Sequence, residues 1–225
     1  MSKKGGSNHL NRMASPRYMR VDKKASKYIA KPMLGRHTLQ NSVALVTVLK
    51  ESIGIGSSTY EMKKVIKEGK IKVNGKVVKD ERAAIGLEDI VEIIPSSEVY
   101  RIGVDNKGRI NAEKTDNKAQ TLKVVGKYIY KGGKLMLRLH DGTLVPAVKD
   151  ANVNDSVKLN NGKIEKVVKL EKGAQCLIIS GIHSAEKGSV VDIRKGAAGR
   201  EPTVEIEGKG GRIETVLRNV IVIGA

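Results

Sequence analysis

Seven lysines fall between residues 60 and 79: Lys63, Lys64, Lys67, Lys70, Lys72, Lys76 and Lys79, against Glu61 and Glu68. Ammonium groups at this density do one kind of chemistry well. They neutralise phosphates, which positions a polyanion without reading its sequence. Other chemistry has little to work with. The loop "GIGSSTY" is glycine-rich but lacks the Gly-Lys-Ser/Thr of a Walker loop. His9, His37, His140 and His183 have no Cys or carboxylate partners at metal-ligand spacing. No nucleophile stands beside a positioned base. Neither a metal nor a cofactor is expected.

Two elements must carry the lysines. In "SSTYEMKKVIKEG", Ser58 and Glu61 make a capping box, and Met62, Val65 and Ile66 form a buried helical stripe. Lys63, Lys64 and Lys67 then lie on the outer face. The helix runs into "EGKIKVNGKVVKD", residues 68–80, where Asn74-Gly75 between β-prone runs signals a type I′ hairpin. Counting outward pairs Val73 with Lys76, Lys72 with Val77, Ile71 with Val78 and Lys70 with Lys79. Ile71, Val73 and Val78 share one face; Lys70, Lys72 and Lys79 share the other. Like charges directly opposite each other destabilise a hairpin, so this face is frustrated unless phosphate relieves it. Upstream, Val43, Val46, Leu49 and Ile53 predict a helix with Ser42 as N-cap and Gly54 or Gly56 as its stop. Downstream, "ERAAIGLEDIVEII" reads as a turn and a strand with acidic decoration.

Composition agrees with a polyanion partner. The 225 residues carry 42 Lys+Arg and 24 Asp+Glu, a formal charge of +18. Such a field attracts nucleic acid and, less often, anionic membrane. No apolar run is long enough to span a bilayer, and "MSKKGGSNHL" lacks the apolar core of a signal peptide. Cys176 is the single cysteine, so no intrachain disulfide can form, which fits a reducing, cytoplasmic setting. Trp and Phe are absent. The core must be Ile, Val and Leu.

Residues 1–40 hold ten Lys+Arg and one acid, Asp22, with little apolar periodicity. They read as a basic extension that orders on a polyanion, closed by the breakers Pro32 and Gly35. Residues 96–171 show short alternating runs and Gly-containing turns such as "YKGGKL" and "LNNGKIEKVV", an all-β domain whose lysines are scattered. In residues 172–225, an apolar strand ends at Gly181, a polar loop follows, and Gly188 opens the strand "SVVDI".

These segments carry resemblances. The helix, basic helix, "IKVNGKVV" hairpin and "GLEDIVEI" strand of residues 41–95 resemble the S4-type RNA-binding domain. The Gly181–Gly188 segment is similar to a KOW motif within a small SH3-like barrel, although Ala185 stands where that pattern has Gly. Taken in order, the chain resembles the eS4 family of small-subunit ribosomal proteins of archaea and eukaryotes. "NHLNRMASPRYMRVDKK", "KPMLGRHTL" with Pro32, Gly35 and His37, "HDGTLVPAVKDANVNDSVKL" and "LRNVIVIG" carry that match. Met19 departs from it, where relatives usually place Trp. The missing C-terminal extension of eukaryotic members points to an archaeal one.

The resemblance implies an α+β, multidomain fold: basic extension, S4-type module, central β domain and KOW barrel. It implies a structural component of the small subunit that binds folded rRNA, touches neighbouring ribosomal proteins, and is not a homo-oligomer, a membrane protein or an enzyme. The residues expected at RNA are Lys3, Lys4, His9, Arg12, Arg17, Tyr18, Arg20, Lys23, Lys24, Lys27, Lys31, Arg36 and His37 in the extension. In the S4-type module they are Lys63, Lys64, Lys67, Lys70, Lys72, Lys76 and Lys79; in the last segment, Gly181, Lys187 and Gly188. Tyr18, Tyr28 and Tyr60 are the candidates for occasional base stacking. Two other readings stay open. One is a free-standing RNA-binding translation or transcription factor. The other is a pseudouridine synthase, since S4-type domains precede those enzymes and Arg138, Leu139, His140 and Asp141 come within one residue of their Arg-Leu-Asp element. The β-rich remainder is short for that catalytic domain.

Overall fold

Residues 9–40, expected as an extension that orders only on a polyanion, are folded into the first of two units of the chain. The structure, a computed structural model, describes residues 7, 9–56, 58–148, 150–160, 162–197, 199–208 and 210–224. One unit comprises residues up to 103 with 109–117; the other comprises 104–108 with 118 onward. Strand β1 (His9–Asn11) pairs antiparallel with β2 (Tyr28–Ala30). Met19 and Ile29 are buried in the same cluster as Leu45, Ile66 and Ile71, with Leu10 and Val21 packed against it. The segment has too few apolar residues for a core of its own, and it shares its neighbour's instead. The Tyr18 carbonyl accepts from Ile110 N at 2.8 Å.

The stripe at 43, 46, 49 and 53 divides between two conformations. Ser42–Ala44 is a strand, β3; helix begins only at α1 (Leu45–Thr47) and continues as a wider π-helical turn over Val48–Ile53. Ser42 is therefore not an N-cap. Its hydroxyl donates to Thr38 O, and Ala44 occupies the cap position. β3 pairs with β6 (Ala84–Gly86), so a cross-strand partner distant in sequence overrides the local helical period. Gly54 ends the π-turn in the left-handed region, with φ +76°.

Helix α2 (Thr59–Lys67) starts with the expected Ser58–Glu61 capping box, and Met62 and Ile66 are buried. It leads into β4 (Ile71–Val73) and β5 (Lys76–Val77). The sheet runs β5-β4-β7-β8-β9, with β7 Ile90–Ile93, β8 Glu98–Val104 and β9 Ile110–Lys114. It thus continues well past residue 95, where a change of domain was expected.

Asp89, 1% exposed, ties this unit together. Its Oδ2 accepts from Gly86 N at 2.9 Å and faces His37 Nε2 at 2.8 Å. Its Oδ1 accepts from Asn74 Nδ2 at 2.6 Å, and Asn74 Oδ1 accepts from Ile90 N at 2.8 Å. One carboxylate therefore fixes the N-terminal segment, the β6 turn and the hairpin tip. Gly86 is needed there, because a Cβ would sit 2.4 Å from the His37 ring.

The second unit holds two five-stranded antiparallel arrays. One runs β12-β11-β10-β13-β14, built from β10 (Gln120–Ile129), β11 (Leu135–Leu139), β12 (Leu144–Pro146), β13 (Ser156–Asn160) and β14 (Lys163–Val168). The other runs β18-β17-β16-β15-β19, from β15 (Gln175–Ile178), β16 (Lys187–Arg194), β17 (Thr203–Gly208), β18 (Gly211–Val216) and β19 (Val220–Gly224). The chain is mostly β with few helices. Lys123 on β10, 4% exposed, joins the arrays by donating to Leu217 O at 2.6 Å and Val220 O at 2.9 Å. Ser156 Oγ adds a bond from Val222 N. Burial pushes the Lys123 ammonium down to about 8.

Two tests follow from these buried groups. Asp89→Ala leaves two donors, Gly86 N and Asn74 Nδ2, and His37 without their acceptor, and should cost the first unit about 3–5 kcal/mol. Hydrogen exchange at the Ile71 and Ile93 amides measures this; a loss under about 1 kcal/mol contradicts the role. Lys123 is charged in both folded and unfolded chains well below pH 8, so its desolvation cost is then fully present. Between about 8 and 10.5 the unfolded chain holds more protons, so stability from this group rises with pH. The stability difference between wild type and Lys123→Met should shift in favour of wild type by about 3 kcal/mol from roughly pH 7 to 11. Urea titrations across that range check it; a flat difference contradicts it.

Candidate nucleic-acid interface

The expected hairpin register is present. Lys72 pairs with Val77 and Val73 with Lys76, and Val78 N donates to Ile71 O at 3.1 Å. Asn74 and Gly75 hold φ of +50° and +78°, the two left-handed positions of a type I′ turn. Ile71 and Val73 are buried and Val78 packs on the core, which leaves the opposite face outward. Lys70 and Lys79 are exposed there and Lys72 is half-buried. Lys76 is exposed but lies on the Val73 face.

Part of the like-charge repulsion is already answered. Lys70 Nζ pairs with Glu68 at 2.6 Å, and that hydrogen bond holds the Glu68 carboxyl below its usual range. Lys79 extends its alkyl chain over Gly69, where an added Cβ would stand 3.5 Å from Lys79 Cε. Glycine at 69 has φ +74°, which the turn into the hairpin requires.

Helix and hairpin lysines share one surface. Tyr60, Lys63, Lys64, Lys67 and Glu68 line one depression. Lys63 and Lys67 also line a second with Lys79, Asp80, Glu81 and Arg82. Lys63 joins a third, formed with His9, Tyr28, Ile29, Ala30, Thr59, Glu81 and Arg82. Lys63 bridges to Glu81 at 2.9 Å. Arg82 was not foreseen, because it stands in an acidic stretch; His9, Lys27 and Tyr28 were expected at RNA, but nothing local predicts that β1 and β2 come beside α2. At the rim, the His9 and Tyr28 rings meet edge-on at 4.5 Å, and Lys27 Nζ lies 5.3 Å from the Tyr28 centroid.

Several residues expected at RNA have partners within the protein. Arg12 is 4% exposed; its guanidinium donates to Glu51 at 3.0 Å and to Asp22 O at 2.6 Å, because a buried cation needs local partners. His37, 5% exposed, is held by Asp89 and turned inward. Tyr18 is half-buried, donates its hydroxyl to Leu39 O, and has its phenol pKa raised by burial. Arg20 is exposed and donates to Asn111 Oδ1 at 2.6 Å. Arg17, Lys23, Lys24, Lys27 and Arg36 are exposed, and Lys31 is half-buried. Lys3 and Lys4 lie outside the described residues.

In the last segment Gly181 (φ +113°) and Lys187 are exposed. Gly188 is required by the protein itself: a Cβ would come 2.4 Å from Glu207 O on β17. Ala185 holds φ +67° at the position where glycine was expected. Asp141 is fully buried and accepts from both the amide and the hydroxyl of Thr143, which closes the turn after His140. Among the described residues no group of three His, Cys, Asp or Glu could hold a metal ion, and no helix is long and apolar enough to cross a membrane. Burial pushes the Cys176 thiol up to about 11.

The fold and its basic face define an S4-domain protein: the family model of the S4 domain matches residues 45–91, and that of ribosomal family S4e matches residues 96–167. The chain is 38% identical to small ribosomal subunit protein eS4 of Methanocella arvoryzae, over 96% of this chain and 94% of that one. It is 31% identical to the eS4 of Methanosphaera stadtmanae, over 100% of this chain and 95% of that one. The crystal structure of 30S ribosomal protein S4e from Thermoplasma acidophilum superposes with a TM-score of 0.70 at 25% identity, covering 82% of this chain and 96% of that one. The chain belongs to the eS4 family of small ribosomal subunit proteins.

Proposed function

We propose that the protein is a structural constituent of the small ribosomal subunit, with no catalytic role, that binds folded rRNA mainly through phosphate contacts. One observation carries the reading. Lysines of α2 and of the hairpin face outward over one apolar core, beside an N-terminal segment that is itself basic. Phosphates supply the counter-charge that Glu68 and Glu81 supply only in part. Asp141 has no part in chemistry on RNA; its carboxylate is committed to its own turn. The relatives are ribosomal proteins, which supports rRNA and neighbouring ribosomal proteins as partners in the cytoplasm.

The finer domain reading extends the same proposal. Residues 41–95 act as the S4-type module and 172–225 as a KOW-type SH3-like barrel. The close Gly188–Glu207 approach and the left-handed Ala185 support the latter. A KOW loop needs tight turning there, and glycine meets that need with less strain than alanine.

The test is the salt dependence of binding to an rRNA fragment by the full-length protein. Changing Lys70, Lys72 and Lys79 together to Gln should lower the slope of log affinity against log salt by roughly two to three units. The loss should be similar for unrelated sequences, since phosphate contacts carry no sequence information. Lys163→Gln with Lys166→Gln, on β14, should change it less. A triple variant that stays folded and keeps the wild-type slope would refute this docking face.

A further inference from the structure

The hairpin joining β10 and β11 projects from the second unit's array. From Val125 to Leu135 every residue is exposed except half-buried Gly126. A register shift between Val124 and Gly126 marks where β10, paired with β13 over Gln120–Lys123, goes on with β11 alone. Beyond it Gly126 pairs with Arg138, Tyr128 with Met136 and Ile129 with Leu135, and Tyr130 N donates to Lys134 O. Cross-strand partners share a face. Arg138, Tyr128, Lys134 and Tyr130 therefore stand on one face, with basic and aromatic side chains interleaved.

Tyr128 is 54% and Tyr130 52% exposed, and neither hydroxyl bonds to another described residue. Large aromatics left in water at a projecting tip mark a surface that is covered in use. The charge around them says by what. Between Asp116 and Asp141 the sequence has no acidic residue, while Lys127, Lys131, Lys134 and Arg138 lie on this hairpin. Two positions apart on one strand, the rings are spaced about 7 Å along it, so each can take a separate base once a strand is unstacked. Exposed aromatics on a sheet beside cations that track the backbone are how proteins hold unpaired nucleotides.

We propose that the β10–β11 hairpin is a stacking platform for two unpaired rRNA bases, Tyr128 and Tyr130 each taking one, with Lys134 and Arg138 on the adjoining phosphates. It rests on the rRNA-binding reading but differs from it in kind: it recognises exposed base faces, whereas the lysine hairpin reads only phosphate.

The experiment compares two RNAs of equal phosphate number, a perfect duplex and a stem closed by an unpaired purine loop, binding the full-length protein at fixed moderate salt. The Tyr128→Ala/Tyr130→Ala variant should lose at least about tenfold in affinity for the loop RNA and less than about twofold for the duplex. Tyr128→Phe/Tyr130→Phe should keep wild-type affinity for both, since stacking needs the ring and not the hydroxyl. Unchanged loop affinity in the Ala pair, or equal loss on both RNAs, overturns the platform and leaves the lysine-face reading standing. Wild type that binds neither RNA in a salt-dependent way overturns both. An Ala pair that keeps loop affinity yet releases the protein from small subunits makes the tip a protein-docking surface, and that too overturns the platform.

Discussion

The Asp89 carboxylate accepts hydrogen bonds from Gly86 N and Asn74 Nδ2 and is in contact with His37 Nε2. Much of the first unit depends on this arrangement. Asn74 must hold a left-handed φ for the hairpin to turn, and its amide group bonds to both Asp89 and Ile90 N. That sets the register that sends Ile71 and Val73 inward and the lysines outward. His37 brings the N-terminal segment to the same carboxylate, and so helps to fix His9, Tyr28 and Lys27 beside α2. A buried charge with several donors costs much less than a bare one.

The outward lysine face shows the tension between stability and binding. Folding onto the apolar side forces Lys63, Lys64, Lys67 and Lys79 into one neighbourhood. The chain relieves some of the repulsion internally through Glu68 and Glu81. These pairs are partly exposed and each contributes little to stability. They also spare the isolated protein from presenting bare cations while leaving the lysines near the surface, where a phosphate can replace a carboxylate. The second unit takes a different course. Lys123 is drawn inside, where two carbonyls accept from it, and is removed from any role in steering RNA.

What could be read from the sequence was local. Ser58 and Glu61 announce α2 because a capping box is satisfied within four residues. Asn74-Gly75 announces its turn because only left-handed backbone fits there. The β3 strand at Ser42–Ala44 was hidden because its partner, Ala84–Gly86, lies some forty residues on, and a period of 3.6 cannot report that pairing. The N-terminal segment was misjudged for a related reason. Composition measures whether a stretch can make its own core, and Met19 and Ile29 are buried in someone else's. For the same reason the partners of Arg12 and His37 are hidden: a basic residue in a basic run gives no sign that Glu51 or Asp89 will be brought to it. Tyr128 and Tyr130 carry no such signal, because strand alternation alone does not say that their hairpin outruns the core.

The central claim is that the lysines of α2 and the hairpin meet rRNA phosphates. Brief acetylation of the free protein and of intact small subunits, followed by peptide mass spectrometry, tests it most directly. The account expects Lys64, Lys67, Lys70, Lys72 and Lys79 to react in the free protein, where each is at least partly exposed. In the subunit they should be protected, and nuclease digestion of the rRNA should restore their reactivity. Equal reactivity of these lysines in the free protein and the intact subunit would contradict it.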